Sequence, residues 1–275
     1  MKKTIFILVV AAAVLVSGCS KKTKDFVYLG QLYGTFGHAA QEKIKGNVKE
    51  LKQNHFWASE ENGKIVKGKP VTTEDRKTTP LGNDMTEEYS PSGIVLRSTS
   101  FDENGKILQD VKVEAEGKMV IKSSYIYNDT VIGYGKYKYE GEKPALLTGY
   151  EAKTDSVMMS MAYEYDQNGN ITKTQAFNNK NEPGGYTLWS RDEKGNLLGF
   201  KSFNKDGKPT SQYDYTYDDK GNRIGHHQQD FAIGRVIDYT FKYEYDKMGN
   251  YTAIIFCKDG KPFIYRTREI KYYDL

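Results

Sequence analysis

The sequence predicts an all-β protein, built as a long antiparallel meander of tandem hairpins that forms a curled, elongated single sheet or a partial β-shell. Two observations support this fold class. The motif Tyr-x-Tyr-Asp-x-x-Gly-Asn recurs along the chain, and the segments between its copies alternate apolar and polar residues with a period of two. A sheet with one such apolar face must curl, close or be covered, because the face would otherwise be a large patch exposed to water.

The aspartates of the motif mark one set of turns, 26 to 28 residues apart. In Asp-x-x-Gly, the aspartate fits the first position of a type I turn, because its carboxylate accepts backbone N–H groups. The glycine fits the position that often needs a positive φ. We interpret eight residues as structural turn residues: Asp166, Gly169, Asp192, Gly195, Asp218, Gly221, Asp246 and Gly249.

A second set of turns lies midway between the first. Residues 203–209 read Phe-Asn-Lys-Asp-Gly-Lys-Pro, residues 256–262 repeat the pattern, and residues 177–183 repeat it without the glycine. Cys257 stands where the other two copies have asparagine, so we interpret it as a substitution within a structural repeat and not as a catalytic thiol. The two sets of turns are expected to line opposite edges of the sheet, joined by strands of about nine residues.

The motif Tyr-x-Tyr-Asp-x-x-Gly-Asn resembles the tyrosine–aspartate (YD) repeat of rearrangement-hotspot proteins, teneurins and insecticidal toxin complexes. The resemblance is good over residues 157–275 and faint over 86–156. In that family the repeats form hairpins that coil into a β-shell, so the resemblance implies hairpin stacking with tyrosines packed on those of the next repeat. This chain is far shorter than those shells and shows no enclosed segment, so encapsulation is not implied.

The N-terminus has the layout of a bacterial export signal. Lys2 and Lys3 precede an unbroken apolar run over residues 5–16, which is too short to span a bilayer. The Val-Ser-Gly-Cys sequence that ends at Cys19 resembles the lipobox of bacterial lipoproteins, and this resemblance implies lipidation of Cys19 and cleavage before it. The alternative is an ordinary secretory signal with an incidental cysteine. Acyl chains contribute about 0.8 kcal/mol per buried CH₂, so they would anchor the chain to the lipid bilayer.

We therefore predict a lipoprotein signal peptide over residues 1–18, a tether and lead-in segment over 19–46, and a β-hairpin repeat domain over 47–275. Residues 47–70 are expected to form an early hairpin of the same sheet, with a separate small domain as the alternative. In some Gram-negative groups, acidic residues after the lipid cysteine direct export to the cell surface. Residues 20–24 are Ser-Lys-Lys-Thr-Lys instead, which favours the outer membrane facing the periplasm.

Charge and motifs exclude several function classes. Loss of Lys2 and Lys3 lowers the formal charge from +4 to +2, which gives no electrostatic case for nucleic acid. His226 and His227 would point to opposite faces of a strand and cannot share one ion. No zinc, calcium, nucleotide or hydrolase motif is present. We expect no metal, no cofactor and no enzymatic activity.

The aromatic content carries the functional hypothesis. Twenty-two tyrosines, twelve phenylalanines and two tryptophans either fill the buried face or leave an open platform for a protein or glycan partner. We predict a membrane-anchored envelope lipoprotein with a non-enzymatic binding scaffold. The alternatives are an envelope hydrolase with acidic residues on a concave face and an immunity or antitoxin-like binding protein. The candidate ligand-binding aromatics are Trp57, Trp189, Tyr186 and Tyr213.

Overall fold

The computed structural model describes residues 25–27, 43–77, 79, 81–117, 119–219 and 221–274. The predicted leader and the lipidation site at Cys19 lie outside these residues, and the predicted division of the chain at residues 18 and 46 stays a prediction. The helix in the described part has four residues, and no helix there is long and apolar enough to span a bilayer. The elements are β1 (Asp25–Val27), β2 (Lys43–Lys45), β3 (Val48–Glu61), β4 (Lys64–Pro70), α1 (Thr73–Arg76), β5 (Asp84–Tyr89), β6 (Val95–Phe101), β7 (Ile107–Glu116), β8 (Met119–Tyr127), β9 (Thr130–Glu140), β10 (Lys143–Glu151), β11 (Val157–Tyr165), β12 (Ile171–Asn178), β13 (Pro183–Arg191), β14 (Leu197–Phe203), β15 (Pro209–Tyr217), β16 (Arg223–Asp230), β17 (Arg235–Tyr245), β18 (Tyr251–Lys258) and β19 (Lys261–Tyr272).

The strands close into an antiparallel barrel of 16 strands. From β5 to β19 each strand pairs with its neighbour in the chain, and the ring closes where β19 pairs with β3, from Ile264 opposite Trp57 to Tyr272 opposite Val48. β4 pairs with the C-terminal half of β3, and β5 pairs with the N-terminal half of the same edge. β4 and β5 therefore share one edge of β3, and β4 is not counted as a separate strand of the ring. The ring then has 16 strands, an even number, as an all-antiparallel closure requires.

The prediction of an open, curled single sheet or partial shell is wrong, although the all-β class and the sequential antiparallel hairpins are confirmed. Closure has a physical reason. An open meander would leave two unpaired strand edges and one apolar face in water, and a barrel removes both edges and encloses the face. The pairing that closes the ring joins residues as far apart in the chain as Val48 and Tyr272, so no local pattern predicts it.

The side chains alternate between the inside and the outside of the barrel. In β17, Ile237, Tyr239 and Phe241 are buried, whereas Asp238 and Lys242, at the alternate positions, are exposed. Successive strand residues point to opposite faces, so the buried set lines the interior and the charged set forms the outer wall.

The four Asp-type turns share one geometry. In each, the N–H of the aspartate donates to the carbonyl oxygen of the asparagine four residues later, at 2.8 to 3.0 Å, and the N–H of the glycine donates to the carbonyl oxygen of the aspartate. The four glycines have φ between +77° and +85°, a region that side chains with a Cβ avoid. All four turns connect an odd-numbered strand to the next even-numbered strand, from β11–β12 to β17–β18, so they lie along one rim of the barrel.

The turns at the opposite rim differ at Cys257. Asn178 and Asn204 each accept two backbone N–H groups on Oδ1, from the residues two and four positions later, at 2.9 to 3.0 Å. A cysteine cannot replace these contacts. The β18–β19 hairpin closes instead through a two-residue turn in which Asp259 and Gly260 both have positive φ, as a type I′ turn requires.

The segment between β4 and β5 folds back into the barrel end. Thr72 caps α1 and forms a reciprocal capping box with Asp75. Val71 is fully buried and packs in one cluster with Ile237 and Ile264. This connection therefore covers the interior next to the closing strands.

Candidate functional site

A row of aromatic rings, here called the aromatic row, crosses the inner wall from β13 to β3. Neighbouring ring centroids are 4.4 to 6.1 Å apart, within the range of favourable aromatic pairs. The strand pairing places one ring beside the next, as in Phe200 opposite Tyr213. In order, the row consists of Trp189, Phe200, Tyr213, His226, Tyr239, Phe263 and Trp57.

Three of the four candidate ligand-binding aromatics belong to this row. Trp189 and Trp57 are its ends, and Tyr213 lies near its middle and is buried. Each indole N–H has a partner inside the protein: Trp57 Nε1 donates to Asp75 Oδ2 at 3.3 Å, and Trp189 Nε1 donates to Thr174 Oγ1 at 3.4 Å. The structure therefore uses these three rings for packing and does not present them as an open platform.

Burial keeps the aromatic row uncharged. It raises the pKa of Tyr213 to about 12. It also lowers the pKa of His226 to about 3, with a further contribution from the positive charge of Arg223. Both side chains are neutral at physiological pH, as a low-dielectric interior favours.

A buried polar cluster, here called the seam cluster, lies where β19 joins β3. His55 is fully buried, and its Nδ1 is 2.9 Å from Asp84 Oδ1. Arg266 Nε donates to His55 Nε2 at 2.9 Å, so Nδ1 carries the imidazole proton and donates it to Asp84. Arg76, the last residue of α1, donates Nη2–H to the same carboxylate oxygen at 2.9 Å.

The electrostatics of the seam cluster favour a neutral histidine beside a charged carboxylate. Burial is the main reason that the pKa of His55 falls to about 4, and the charges of Arg266 and Arg76 lower it further. Burial alone would raise the pKa of Asp84, but the hydrogen bond from His55 and the charge and hydrogen bond of Arg76 lower it. Because both imidazole nitrogens are bonded inside the protein, this His–Asp pair holds the seam together and cannot take a proton from a substrate.

The sequence does not predict the seam cluster, because its members lie on four separate elements. One local signal was available: Arg266 and Arg268 alternate with Tyr265 and Thr267, which places both arginines at inward positions of a strand. Charged residues at core positions of an alternating strand indicate a buried ionic network.

The outer wall carries cross-strand contacts between polar and charged side chains. His227 Nδ1 lies 2.7 Å from Asp238 Oδ1, and Lys173 Nζ lies 2.8 Å from Glu164 Oε1. His227 therefore faces out while His226 faces in, as the strand alternation predicts. Among the described residues, no group of three or more histidine, cysteine or acidic side chains could hold a metal ion.

The fourth candidate, Tyr186, lies on the outer wall and is half-buried there. Its ring stacks on Phe203 with centroids 4.7 Å apart. Lys173 Nζ lies 5.9 Å from the centre of the Tyr186 ring, and Lys201 Nζ lies 5.9 Å from Phe203 and 5.4 Å from Phe231. We call these five residues the outer patch: Tyr186, Phe203, Phe231, Lys173 and Lys201.

A second outward aromatic pair lies on β9 and β10. The rings of Tyr134 and Tyr150 stack at 5.0 Å, and Lys136 Nζ lies over both rings. Tyr134 donates its hydroxyl proton to Asp155 Oδ1 at 2.7 Å, and this hydrogen bond raises the pKa of Tyr134 to about 12. The outer wall thus carries two aromatic pairs with ammonium groups above them.

A small apolar cleft opens at one end of the barrel. It contains no carboxylate pair. Its lining residues are Ile44, Gly46, Asn47, Val48, Tyr89, Pro91 and Gly93.

Neither the protein-family models nor the curated proteins give a match to this chain. Among solved structures, a porin-like protein from Bacteroides uniformis is 8% identical with a TM-score of 0.51, over 82% of this chain and 98% of that one. TcdB2-TccC3 without its hypervariable C-terminal region is 12% identical with a TM-score of 0.35, over 75% of this chain and 12% of that one. The YD-repeat resemblance therefore stays a resemblance of motif, and what the B. uniformis structure shares with this chain is the β-barrel fold.

Proposed function

We propose that this protein is a lipid-anchored envelope lipoprotein whose barrel is a non-enzymatic scaffold that binds a protein or glycan partner on its outer wall. One observation carries the proposal. The inward aromatic rings pack on one another, whereas the outer patch presents aromatic faces and two lysines at the surface. The anchor rests on the lipobox-like sequence that ends at Cys19.

The distribution of polarity supports a barrel that stands in water beside the membrane. Barrels that span the outer membrane carry an apolar band outside and polar residues inside. Strand β17 has the opposite arrangement, with Tyr239 and Phe241 inside and Asp238 and Lys242 outside. The porin-like neighbour supports an envelope location, and the charged outer positions of β17 support the periplasmic face of the outer membrane over insertion into it.

The outer patch suits a partner with an extended flat face and negative charge. Aromatic rings that carry a hydroxyl group stack on sugar rings and on peptide side chains, and ammonium groups next to them attract carboxylates or sulfates. Lys173 is already paired with Glu164, whereas Lys201 forms no ion pair with the residues that the structure describes, so a ligand can meet Lys201 without displacing such a pair.

The hydrolase alternative gains no support from the site geometry. It requires two converging carboxylates in an open pocket. The described residues contain three buried carboxylates. Asp84 is bound by His55 and Arg76, and Glu87 accepts a hydrogen bond from Tyr89 at 2.9 Å. Asp110 is bound by Arg97 and Thr99. The immunity-like role rests on analogy alone.

Site-specific photocrosslinking in cells tests the binding proposal. p-Benzoylphenylalanine replaces Tyr186 in one strain and Tyr265, an outer-wall residue on β19, in the control strain. We expect a covalent adduct with a partner at position 186, its loss on Lys201→Glu, and no such adduct at position 265. Equal adducts at both positions, or a hydrolytic activity that co-purifies with the protein, would contradict the proposal.

Labelling with an alkyne fatty acid tests the anchor separately. The wild-type chain is expected to take up the label and to sediment with membranes. Cys19→Ser is expected to lose both properties while it keeps the barrel fold, as measured by circular dichroism. Label on the Cys19→Ser variant would refute the anchor.

A further inference from the structure

The C-terminal end of β3 continues beyond the strands that close the barrel. β19 pairs with β3 as far as Trp57, and β5 pairs with β3 as far as Gln53. Beyond these residues, the described partner of β3 is β4, and their pairing ends with Glu61 opposite Lys64. The end of β3 and the whole of β4 thus form a two-stranded ribbon at one rim of the barrel.

The outer edge of β4 has no strand beside it in the part of the chain that the structure describes. The strand that pairs with β4 there is β3, on the other edge. The connection that follows β4 does not act as a partner strand, because the N–H groups of Arg76, Lys77, Thr79 and Leu81 all donate within the connection itself. Five of the seven residues of β4 are exposed, as an uncovered edge requires.

The hairpin geometry determines which backbone groups point outward from this edge. Asn62 and Gly63 have φ of +50° and +74°, as the two central residues of a type I′ turn require. The residues that flank such a turn exchange their backbone hydrogen bonds with each other, and bonded and non-bonded pairs then alternate along the ribbon. Ile65 and Lys67 therefore direct their N–H and C=O groups away from β3, at positions about 7 Å apart.

The outer edge is also basic. Three exposed lysines and no acidic residue lie on β4: Lys64, Lys67 and Lys69. Lys67 Nζ lies 4.6 Å from the centre of the Phe56 ring, which keeps this ammonium group against the ribbon. The carboxylates of Glu60 and Glu61 belong to β3, on the side of β4 away from the outer edge. A strand that approaches this edge would therefore meet ammonium groups and unpaired backbone groups together.

We propose that the outer edge of β4 binds an extended acidic segment of a partner protein, which adds to the ribbon as a further strand. The backbone of the segment pairs with Ile65 and Lys67, and its carboxylates lie beside the lysines of β4. A second copy of this chain is a poor fit, because two β4 edges side by side would place lysines against lysines. The outer patch lies on other strands, so failure of one proposal leaves the other standing.

Amide hydrogen exchange followed by ¹⁵N NMR tests the proposal on the full chain. The probe is the synthetic peptide Glu-Thr-Glu-Val-Glu-Thr-Glu, and the control peptide has lysine in place of each glutamate. We expect the acidic peptide to slow exchange at Ile65 and Lys67 by about tenfold or more. Exchange at Val66, whose N–H points toward β3, should not change, and the lysine peptide should have no effect at any of the three positions.

Variants of the chain separate the backbone contribution from the charge contribution, with peptide affinity measured by fluorescence anisotropy. Ile65→Pro removes one outward N–H and no hydrogen bond between β3 and β4, at an edge position where proline is tolerated. It should weaken binding about fivefold, the loss expected for one ordinary hydrogen bond. Lys67→Glu should weaken binding about tenfold, because attraction becomes repulsion. Lys138→Glu, at an exposed position of β9, is the matched control and should bind as wild type does.

The exchange rate at Val66 shows whether each variant keeps the ribbon, so a loss of binding in a folded variant is distinguished from unfolding. Equal binding of the two peptides, no binding of the acidic one, or binding that leaves exchange at Ile65 and Lys67 unchanged would overturn the proposal. Slow exchange at both positions before any peptide is added would also overturn it, because another part of the chain or a second copy would already cover the edge.

Discussion

His226 and His227 are neighbours in the chain, yet they lie on opposite sides of the barrel wall. His226 is buried in the aromatic row between Tyr213 and Tyr239, and His227 pairs with Asp238 at the surface. The same residue type is therefore a ring in a hydrophobic stack at one position and a polar side chain at the surface at the next. The environment, set by the two-residue period of the strand, decides the role.

The burial of His226 makes the barrel sensitive to acid. Its pKa is about 3 in the folded protein and 6.5 for an ordinary histidine, so the unfolded chain binds a proton that the folded one rejects. The stability contributed by neutral His226 is complete above pH 6.5 and is lost as the pH falls toward 3. Between about pH 7 and pH 4.5, wild type should lose about 2–3 kcal/mol more unfolding free energy than His226→Phe.

Urea unfolding at the two pH values measures this difference. His227→Gln, which changes the exposed neighbour, is the control and should keep the acid sensitivity of the wild type. An equal loss in wild type and His226→Phe would show that His226 is not buried as a neutral ring.

At the scale of the strand, Gly199 lies where two backbones come too close for a side chain. A Cβ at this position of β14 would stand 2.2 Å from the carbonyl oxygen of Tyr213 on β15. Gly149 on β10 has room, since its nearest contact would be Met159 Cγ at 3.6 Å. The first glycine is required by the approach of the strands, and the second is not.

Gly199→Ala should therefore destabilise the barrel by about 1–3 kcal/mol, the usual cost of forced backbone shifts. Gly149→Ala is the matched control and should leave the unfolding midpoint within the scatter of surface substitutions. Thermal unfolding of both variants measures the effect, and similar midpoints would contradict the close approach at Gly199.

The seam between β19 and β3 combines a buried network with an exposed ion pair. Arg266 supplies the hydrogen bond to His55 Nε2 inside the barrel, whereas Lys271 pairs with Glu50 at 2.7 Å on the surface. Exposed pairs are screened by water, but removal of one member of a buried network leaves polar atoms without their partners.

Arg266→Met should cost about 1–3 kcal/mol of unfolding free energy, because the buried His55 Nε2 loses its donor. Lys271→Met at the same seam should be close to wild type. Chemical denaturation of the two variants separates the contributions. A larger effect of Lys271→Met would show that the surface ion pair, and not the buried network, stabilises the seam.

At the scale of the whole molecule, closure joins the two ends of the repeat domain. Asn54 on β3 and Thr267 on β19 are direct partners on the outer wall. Directly opposed residues of an antiparallel pair have Cα atoms about 4.5–5.5 Å apart, within the range that a disulfide spans. Asp238 lies on β17, well outside that range from Asn54.

Cysteines at positions 54 and 267, in a Cys257→Ala background, should therefore oxidise to a disulfide that raises the unfolding free energy by about 4–5 kcal/mol. The pair Asn54→Cys with Asp238→Cys should remain reduced. Thiol titration and non-reducing electrophoresis give the result, and free thiols at 54 and 267 in the folded protein would mean that the sheet is open.

The sequence by itself determined the strands, the turns and the two faces, because these depend on residues close together in the chain. Asp246 and Gly249 specify a turn through their own backbone preferences, and alternation assigns Tyr239 inward wherever the strand lies. Which side chains remain available to a partner, however, depends on what faces them. In the sequence, Trp57, Trp189 and Tyr213 are candidates of the same kind as Tyr186. Only the barrel structure shows that these three rings pack inside and that Tyr186 lies on the outer wall.

Only the tertiary structure decided that the sheet closes, that β3 receives β19, and that His55, Asp84, Arg76 and Arg266 meet at the seam. These contacts join residues far apart in the chain, such as Val48 and Tyr272 in the strand pairing and His55 and Arg266 in the seam cluster. Their energy comes from removing two sheet edges and one apolar face from water, a property of the complete set of strands that no single repeat contains.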